Sequence, residues 1–279
     1  MSCEKCYDRG YYIAETGGPQ SQRALSLCEC VRERCRCNGE FPYLYYQNHI
    51  AIQCECAHFR NKFAQVARAY QLANIPKKYQ FKYLPDFKAE PNTPLENVKT
   101  IANYMIKDYL PSATRTGLFL CGGVGNGKTL LCCIILNELI FHYAISARYM
   151  NLSYQYFHRI RDTFTEGSET YGKAMSFMED FVNQNLLLID DMGVQRNTDW
   201  EMEMLYNLID RRYQEERITL ITTNQNLEQM KDLFDGRIFS RIKEMCTIVE
   251  LQAGDYRESL ATKTFTIKDD HEPLKRKKK

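Results

Sequence analysis

From about residue 95 onward, apolar residues fall in short runs at 118–121, 148–152, 186–190, 219–222 and 247–251, with longer stretches of helical spacing between them. Runs this short predict strands, and the stretches between them predict helices. Strand–helix alternation predicts an α/β fold with a parallel sheet covered on both faces. The pattern before residue 95 is different. Over 57–74, Phe59, Phe63, Val66, Ala67 and Tyr70 sit near helical spacing. Ile75-Pro76 ends that helix, because proline disfavours helix at the residue before it. Pro85, Pro91 and Pro94 then break up 84–94, which reads as a linker. Residues 1–60 show neither period and carry close pairs of cysteines. Four segments follow: a cysteine-rich module at 1–60, a helix and linker at 61–94, the α/β domain at 95–262, and a basic tail at 263–279 that reads as disordered.

Composition adds little to this picture, except at the cysteines. The formal net charge is +2, so no global basic field points to nucleic acid, and any such contact must come from local patches. No apolar run approaches bilayer length and no leader-like stretch opens the chain, so a cytoplasmic protein with no membrane contact is expected. Eight of the twelve cysteines lie within the first 56 residues, in pairs. In a cytosolic chain that spacing favours metal over disulfides. The other four, Cys121, Cys132, Cys133 and Cys246, sit in apolar segments and read as small buried hydrophobes.

The most specific motif is Gly122-Gly123-Val124-Gly125-Asn126-Gly127-Lys128-Thr129, which fits G-x-x-x-x-G-K-[ST]. An apolar strand enters it and a helix over about 130–142 leaves it. In such a loop, backbone N–H groups turn inward around the phosphates of ATP, and the helix N-terminus adds its positive dipole end. Lys128 would reach the β and γ phosphates, and the Thr129 hydroxyl would hold Mg²⁺. Residues 186–191, Leu-Leu-Leu-Ile-Asp-Asp, form an apolar strand ending in acids. Asp190 would serve the Mg²⁺; Asp191 would either polarise the attacking water or carry a structural hydrogen bond. A further strand ends in Asn224, which is expected between the acidic strand and the phosphate loop, where its amide would orient water on the γ-phosphate. Arg237 and Arg241 are spaced i and i+4, on one face of a helix. They are either a solvated face or an arginine reaching into a neighbouring subunit's ATP.

Taken together, Gly-Asn-Gly-Lys-Thr129, Leu-Ile-Asp-Asp-Met-Gly193, Ile-Asp-Arg-Arg212, Ile-Thr-Thr-Asn224 and Arg-Ile-Phe-Ser-Arg241 resemble the DnaC-type helicase loaders of bacteria and phages, and equally the IstB-type transposition ATPases, both AAA+ proteins. The resemblance covers about residues 75–260 and includes Ile75-Pro76-Lys-Lys-Tyr79. It implies a P-loop AAA+ core without a large C-terminal lid, and the 28 residues after the last strand run are too few for one. By position, Arg241 matches the family's arginine finger, Arg237 is its helical neighbour, and Arg257 stands where the sensor-2 arginine is expected. The family further implies ATP hydrolysis, self-association through AAA+ interfaces, binding of a hexameric replicative helicase through the N-terminal region, and binding of single-stranded DNA by the core. A transposition-assisting ATPase, or an adaptor that binds DNA and does not hydrolyse ATP, remains open on the same motifs.

The cysteine pairs are Cys3/Cys6, Cys28/Cys30, Cys35/Cys37 and Cys54/Cys56. Two such pairs supply the four thiolates of a tetrahedral Zn²⁺ site. Either 3–30 and 35–56 form two knuckles, or, by the single site of the family, Cys54 and Cys56 pair with Cys3 and Cys6. His58 is a further candidate ligand. Tyr154, Phe157, Arg159 and Arg161 follow the second strand and are candidate single-strand contacts, although aromatic residues at helical spacing more often belong to a core.

Overall fold

The structure is a computed structural model that describes residues 3–15, 17, 22–109, 116–193, 198–231, 236–251 and 256. The chain opens with two antiparallel hairpins. In the first, β1 (Tyr11–Glu15) pairs with β2 (Arg23–Leu27), and a short α1 (Glu29–Glu33) follows. In the second, β3 (Leu44–Gln47) pairs with β4 (Ile50–Gln53). The predicted helix is α2 (Cys56–Leu72). Two 3₁₀ turns, Lys77–Tyr79 and Leu84–Asp86, lead into α3 (Pro94–Lys107), which is capped by the Thr93 side chain accepting from the Glu96 N–H.

The remaining elements alternate. They are β5 (Gly117–Cys121), α4 (Lys128–Tyr143), β6 (Ala147–Asn151), α5 (Arg159–Asp162), α6 (Ala174–Val182), β7 (Leu186–Met192), α7 (Asp199–Gln214), β8 (Ile218–Thr223), α8 (Leu227–Lys231), α9 (Arg237–Met245) and β9 (Cys246–Glu250). A π-helical turn, Leu152–His158, separates β6 from α5. The five strands form one sheet in the order β6-β7-β8-β5-β9, with every pairing parallel. The α/β architecture with a parallel sheet expected from the alternation is therefore present. The question of a C-terminal lid falls on residues after Leu251; apart from Tyr256 these lie outside the described residues, as do Arg257 and the basic tail.

Successive strand residues face opposite sides of the sheet, and the core divides accordingly. Leu118, Leu120, Leu186, Leu188 and Leu220 face α2, α3 and α4. Phe119, Cys121, Leu187, Ile189 and Ile221 face α6, α7 and α9. Helix α4 is buried continuously from Leu131 to Ile140. A helix apolar all round belongs in an interior, and this one packs against the sheet, α2 and α3. Cys132, Cys133, Cys121 and Cys246 are all buried in these layers, as expected of them.

The largest fully buried side chain is Arg212, on α7. Its guanidinium donates to Phe181 O at 2.7 Å and Val182 O at 3.0 Å, the C-terminal carbonyls of α6. It also reaches Gln184 O, Ile218 O and Thr219 Oγ1. Orphan carbonyls at a helix C-terminus carry partial negative charge, so they stabilise a cation with no carboxylate beside it. Burial still pushes the Arg212 pKa down, to about 9. Arg212→Ala would strand these carbonyls without donors. The expected loss is about 3–5 kcal/mol in urea unfolding, and Arg212→Lys should restore little of it, because a point charge cannot serve a five-donor fork. A loss under 1 kcal/mol would show that the fork is dispensable.

Candidate active site

The phosphate loop is shaped by its neighbours. β5 delivers Gly122 with φ +131°, and a Cβ there would lie 2.3 Å from Leu251 O, just past β9. Asn126 is buried and donates from Nδ2 to the same carbonyl at 2.7 Å. The Leu251 N–H donates to Cys121 O at 2.8 Å. The exit of β9 therefore fixes the loop from below, and only glycine fits at Gly122.

Lys128 opens α4. Its amine donates to Gly122 O at 2.9 Å, Gly123 O at 2.6 Å and Asn126 Oδ1 at 2.8 Å, all neutral oxygens. Burial pulls its pKa down, opposed by the nearby Asp191, Cys121 and Asp190. Thr129 Oγ1 donates to Asp190 Oδ1 at 2.8 Å. Thr222 donates to the same oxygen at 2.6 Å, and the Tyr149 hydroxyl donates to Oδ2 at 2.8 Å. Burial, then Asp190, pushes the Tyr149 pKa up, which keeps the phenol protonated as a donor. The Asp190 carboxylate is thus held at both oxygens.

Next to it, β7 carries an irregularity between Ile189 and Met192, and Asp191 has φ +58°. The Asp191 N–H donates to Thr222 Oγ1 at 3.1 Å, and Asn224 Nδ2 approaches Asp191 Oδ1 at 3.4 Å. Asn224 follows β8, which lies between the acidic strand and the strand entering the loop.

Lys128, Thr129, Asp190, Asp191 and Asn224 line one cavity of ≈ 270 Å³ with Val124, Gly125, Gly127 and Leu130; Pro76, Lys78, Tyr79, Tyr149 and Tyr256 form the rest of its wall. Adjacent ligands of an octahedral Mg²⁺ lie about 2.9 Å apart, which the Thr129–Asp190 separation matches. The donor set therefore fits a polyphosphate with its divalent cation. Arg237 and Arg241 are not among the lining residues. Arg241 is bound to Asp210, and its Nη2 donates to the Tyr206 hydroxyl at 2.8 Å. Both arginines lie over the Tyr206 ring, at 4.8 Å for Arg241 and 5.6 Å for Arg237.

Five residues at the site escaped the sequence reading. Tyr149 and Thr222 sit in strands whose apolar character hid their hydroxyls, although the sheet register places both beside Asp190. Tyr256 follows the last strand in a stretch without a period, and stacks on Phe87 at 5.1 Å and 11°. Pro76 and Tyr79 were visible as a motif, but nothing in its spacing showed that it returns to the phosphate loop.

The eight N-terminal cysteines separate into two groups, Cys3/Cys6/Cys28/Cys30 and Cys35/Cys37/Cys54/Cys56, with all ligand atoms of a group within 4.8 Å of one another. Thiolates around tetrahedral Zn²⁺ stand about 3.8 Å apart. The measured Sγ separations include 3.7 Å for Cys3–Cys28, 3.6 Å for Cys6–Cys30, 3.7 Å for Cys35–Cys37 and 3.5 Å for Cys37–Cys56. Both groups fit a zinc ion. The alternative pairing of Cys54 and Cys56 with Cys3 and Cys6 is overturned: each set closes around its own hairpin, β1–β2 or β3–β4. His58 is exposed and outside both sets.

Among the candidate single-strand contacts, Phe157 is a correction, since it is 2% exposed and packs in the core. Tyr154 is 74% exposed and lies against His158 at 5.9 Å. Arg159 is exposed, and Arg161 donates to Glu201 at 3.1 Å and covers Trp200.

Comparison with known proteins adds a family. A family model described as IstB-like ATP binding protein matches residues 42–264. The replicative helicase loader DnaC of Escherichia coli (strain K12) is 23% identical over 205 residues, covering 74% of this chain and 80% of that protein. The phage-like element PBSX protein XkdC of Bacillus subtilis (strain 168) is 26% identical over 227 residues, covering 76% of this chain and 79% of that protein. The crystal structure of the DnaC helicase loader superposes with a TM-score of 0.55 at 23% identity, over 63% of this chain and 100% of that one, a likeness of fold.

Proposed function

This chain belongs to the family of IstB-like ATP binding proteins, and from that membership we propose that it binds and hydrolyses ATP with Mg²⁺ to load a hexameric replicative helicase onto single-stranded DNA. The observation that carries the nucleotide half is the convergence of Lys128, Thr129, Asp190, Asp191 and Asn224 on one cavity at the ends of adjacent strands. Similarity to a replicative helicase loader over most of both chains supports the other half.

The work divides by position. Backbone N–H groups of Gly123 to Thr129 and the α4 N-terminus hold the phosphates, and Lys128 neutralises β and γ oxygens. Thr129 and Asp190 would hold Mg²⁺, which would supply charge neutralisation. Thr222 and Tyr149 hold the Asp190 carboxylate in that orientation. Asn224, just past the end of β8, and Asp191, on β7, orient the attacking water. Arg241, with Arg237 beside it, acts on the ATP of a neighbouring copy, and Arg257, at the sensor-2 position, binds nucleotide. Residues 1–60 form a zinc-binding module that contacts the helicase, 61–94 connect it, and 95–262 form the ATPase domain of a cytoplasmic protein. The surface around Tyr154 and Arg159 supplies single-strand contacts.

The description of the matching family favours a second reading, assistance to a transposase. Loading is preferred because of the N-terminal cysteine centres and the extent of similarity to the loader. Mixing the protein with a hexameric replicative helicase, circular single-stranded DNA and ATP should give helicase on the circle. If no helicase complex forms, while a transposase is captured in an ATP-dependent complex, the loader reading falls.

The nucleotide half has its own test. Lys128→Ala removes a charge-assisted contact and is expected to weaken ATP about 10- to 100-fold. Calorimetric titration showing wild-type affinity in this variant would place the phosphates elsewhere.

A further inference from the structure

The strap at residues 79–87 is fastened at three places, and both of its ends reach the nucleotide cavity. Upstream, Tyr79 lines the cavity directly. Downstream, Phe87 is fully buried and stacks on Tyr256, which also lines it. Between them the strap is bolted to the far end of α4. Asn137 is completely buried, and its amide bridges the strap: Nδ2 donates to Tyr79 O at 2.8 Å, and Oδ1 accepts from the Phe81 N–H at 3.2 Å. One helical turn of phosphate-loop helix thus staples two backbone positions of the wall. Glu138 adds a third point by accepting from the Leu84 N–H at 3.0 Å.

The other side of the strap is held by the first hairpin. Arg23, on β2, donates to Phe81 O at 3.1 Å and to Asp86 Oδ2 at 2.5 Å. Tyr11, on β1, donates to Phe141 O on α4 at 3.0 Å and packs edge-on against the Phe141 ring. The hairpin that closes the first cysteine group therefore grips both the strap and the helix to which the strap is stapled.

We infer that Asn137 and Arg23 are positioning residues for nucleotide binding, and that the first cysteine hairpin sets ATP affinity by clamping the 79–87 strap against α4. Neither residue lines the cavity. Each restricts the strap to the arrangement in which Tyr79 and, through Phe87, Tyr256 face the cavity. Freeing the strap makes that arrangement one of several, and apparent affinity falls by the fraction of time it is lost.

The inference rests on the nucleotide reading of the cavity, and its test keeps the two apart. Full-length wild type, Tyr11→Phe/Arg23→Gln, Asn137→Ala and Lys128→Ala are titrated with a fluorescent ATP analogue, with zinc content and the ATP dependence of turnover measured on the same preparations. Tyr11→Phe keeps the buried Tyr11 ring and removes only its hydroxyl, and Arg23 is half-buried, so the double variant spares core volume and covers the case in which Asn137→Ala fails to fold. The double variant is expected to bind about 5- to 10-fold more weakly, with KM raised, kcat at saturating ATP retained, and zinc content equal to wild type. A general loss of structure would instead lower the bound fraction without moving Kd. Wild-type Kd and KM in the double variant, beside a Lys128→Ala protein weakened about 10- to 100-fold, overturn the inference alone. Failure of wild type itself to bind the analogue removes the nucleotide reading and the inference with it.

Discussion

Arg241→Ala is expected to keep its ATP affinity and to lose hydrolysis by about 10³-fold or more. Arg241 does not line the cavity of its own subunit. It is held on the flank of α7 and α9 by Asp210 and by the Tyr206 hydroxyl, with the Tyr206 ring beneath it. Under the proposed assembly, this partly exposed guanidinium meets charge on another copy. If it meets the γ-phosphate there, its contribution belongs to the transition state, where charge develops, and ground-state binding is spared. The defect should also be repaired by mixing. Lys128→Ala chains and Arg241→Ala chains are each inactive alone, but together they form interfaces in which one intact Lys128 cavity faces one intact Arg241. Phosphate release should therefore rise on mixing, in the presence of single-stranded DNA or a helicase ring, and peak at intermediate ratios. Normal turnover by Arg241→Ala in that assembled state would reduce the residue to the Asp210 ion pair it makes within its own chain. Loss of ATP binding by the same variant would place it in its own subunit's site.

The purified protein is expected to carry two Zn²⁺ per chain, and stripping them should unfold both hairpins while leaving the parallel sheet folded. The apolar cluster around the second cysteine group is small: Val31 and Cys37, Cys54 and Cys56 are buried, with a few half-buried aromatics and aliphatics around them. Burial on that scale cannot offset the backbone entropy of some fifty ordered residues at about 1–2 kcal/mol each. Structural zinc contributes about 10–16 kcal/mol per site in small modules, so its removal should unfold them. Elemental analysis gives the stoichiometry, and limited proteolysis after chelation reads the unfolding. The partition has a sharper test: Cys54→Ser should lose one zinc and Cys28→Ser the other, each independently. Metal-free protein with hairpins still protected from protease would refute structural zinc. Loss of both ions from either single variant would mean that the two groups share ligands.

Much of this was legible in the chain because the relevant signals are local. Five strands fell within a residue or two of their predicted places, since each apolar run ends at or beside a glycine or a polar residue: Gly122, Asn151, Asp190, Asn224 and Glu250. Gly122 to Thr129 and Asp190 were readable because a phosphate loop needs glycines, lysine and hydroxyl at fixed spacing. What stayed hidden was long-range. The hydroxyls of Tyr149 and Thr222 matter only through sheet register. Tyr256 acts across more than 120 residues on the phosphate loop, where its N–H donates to Gly125 O at 3.0 Å. The cysteine partition could not be read from spacing, because pairs of the same kind recur and only the hairpins decide which pairs meet. Phe157 was ambiguous for a similar reason: its π-helical turn changes which side chains face inward.

The left-handed backbone at Asp191 acts as a filter on the residues that position can sample. Asp and Asn enter that region with modest strain, while longer or β-branched side chains meet a steeper cost, of order 1–3 kcal/mol. The Asp191 N–H is also committed to Thr222, so a proline is closed off, as is any residue that pulls the backbone out of that bend. Exchanging Asp for Glu at this site is thus more than an added methylene. It asks the irregularity in β7 to relax, and with it the hydroxyl that serves both Asp191 and Asp190. Chain chirality at one residue couples the two acids, so sequence change at either is constrained by the conformation of the other.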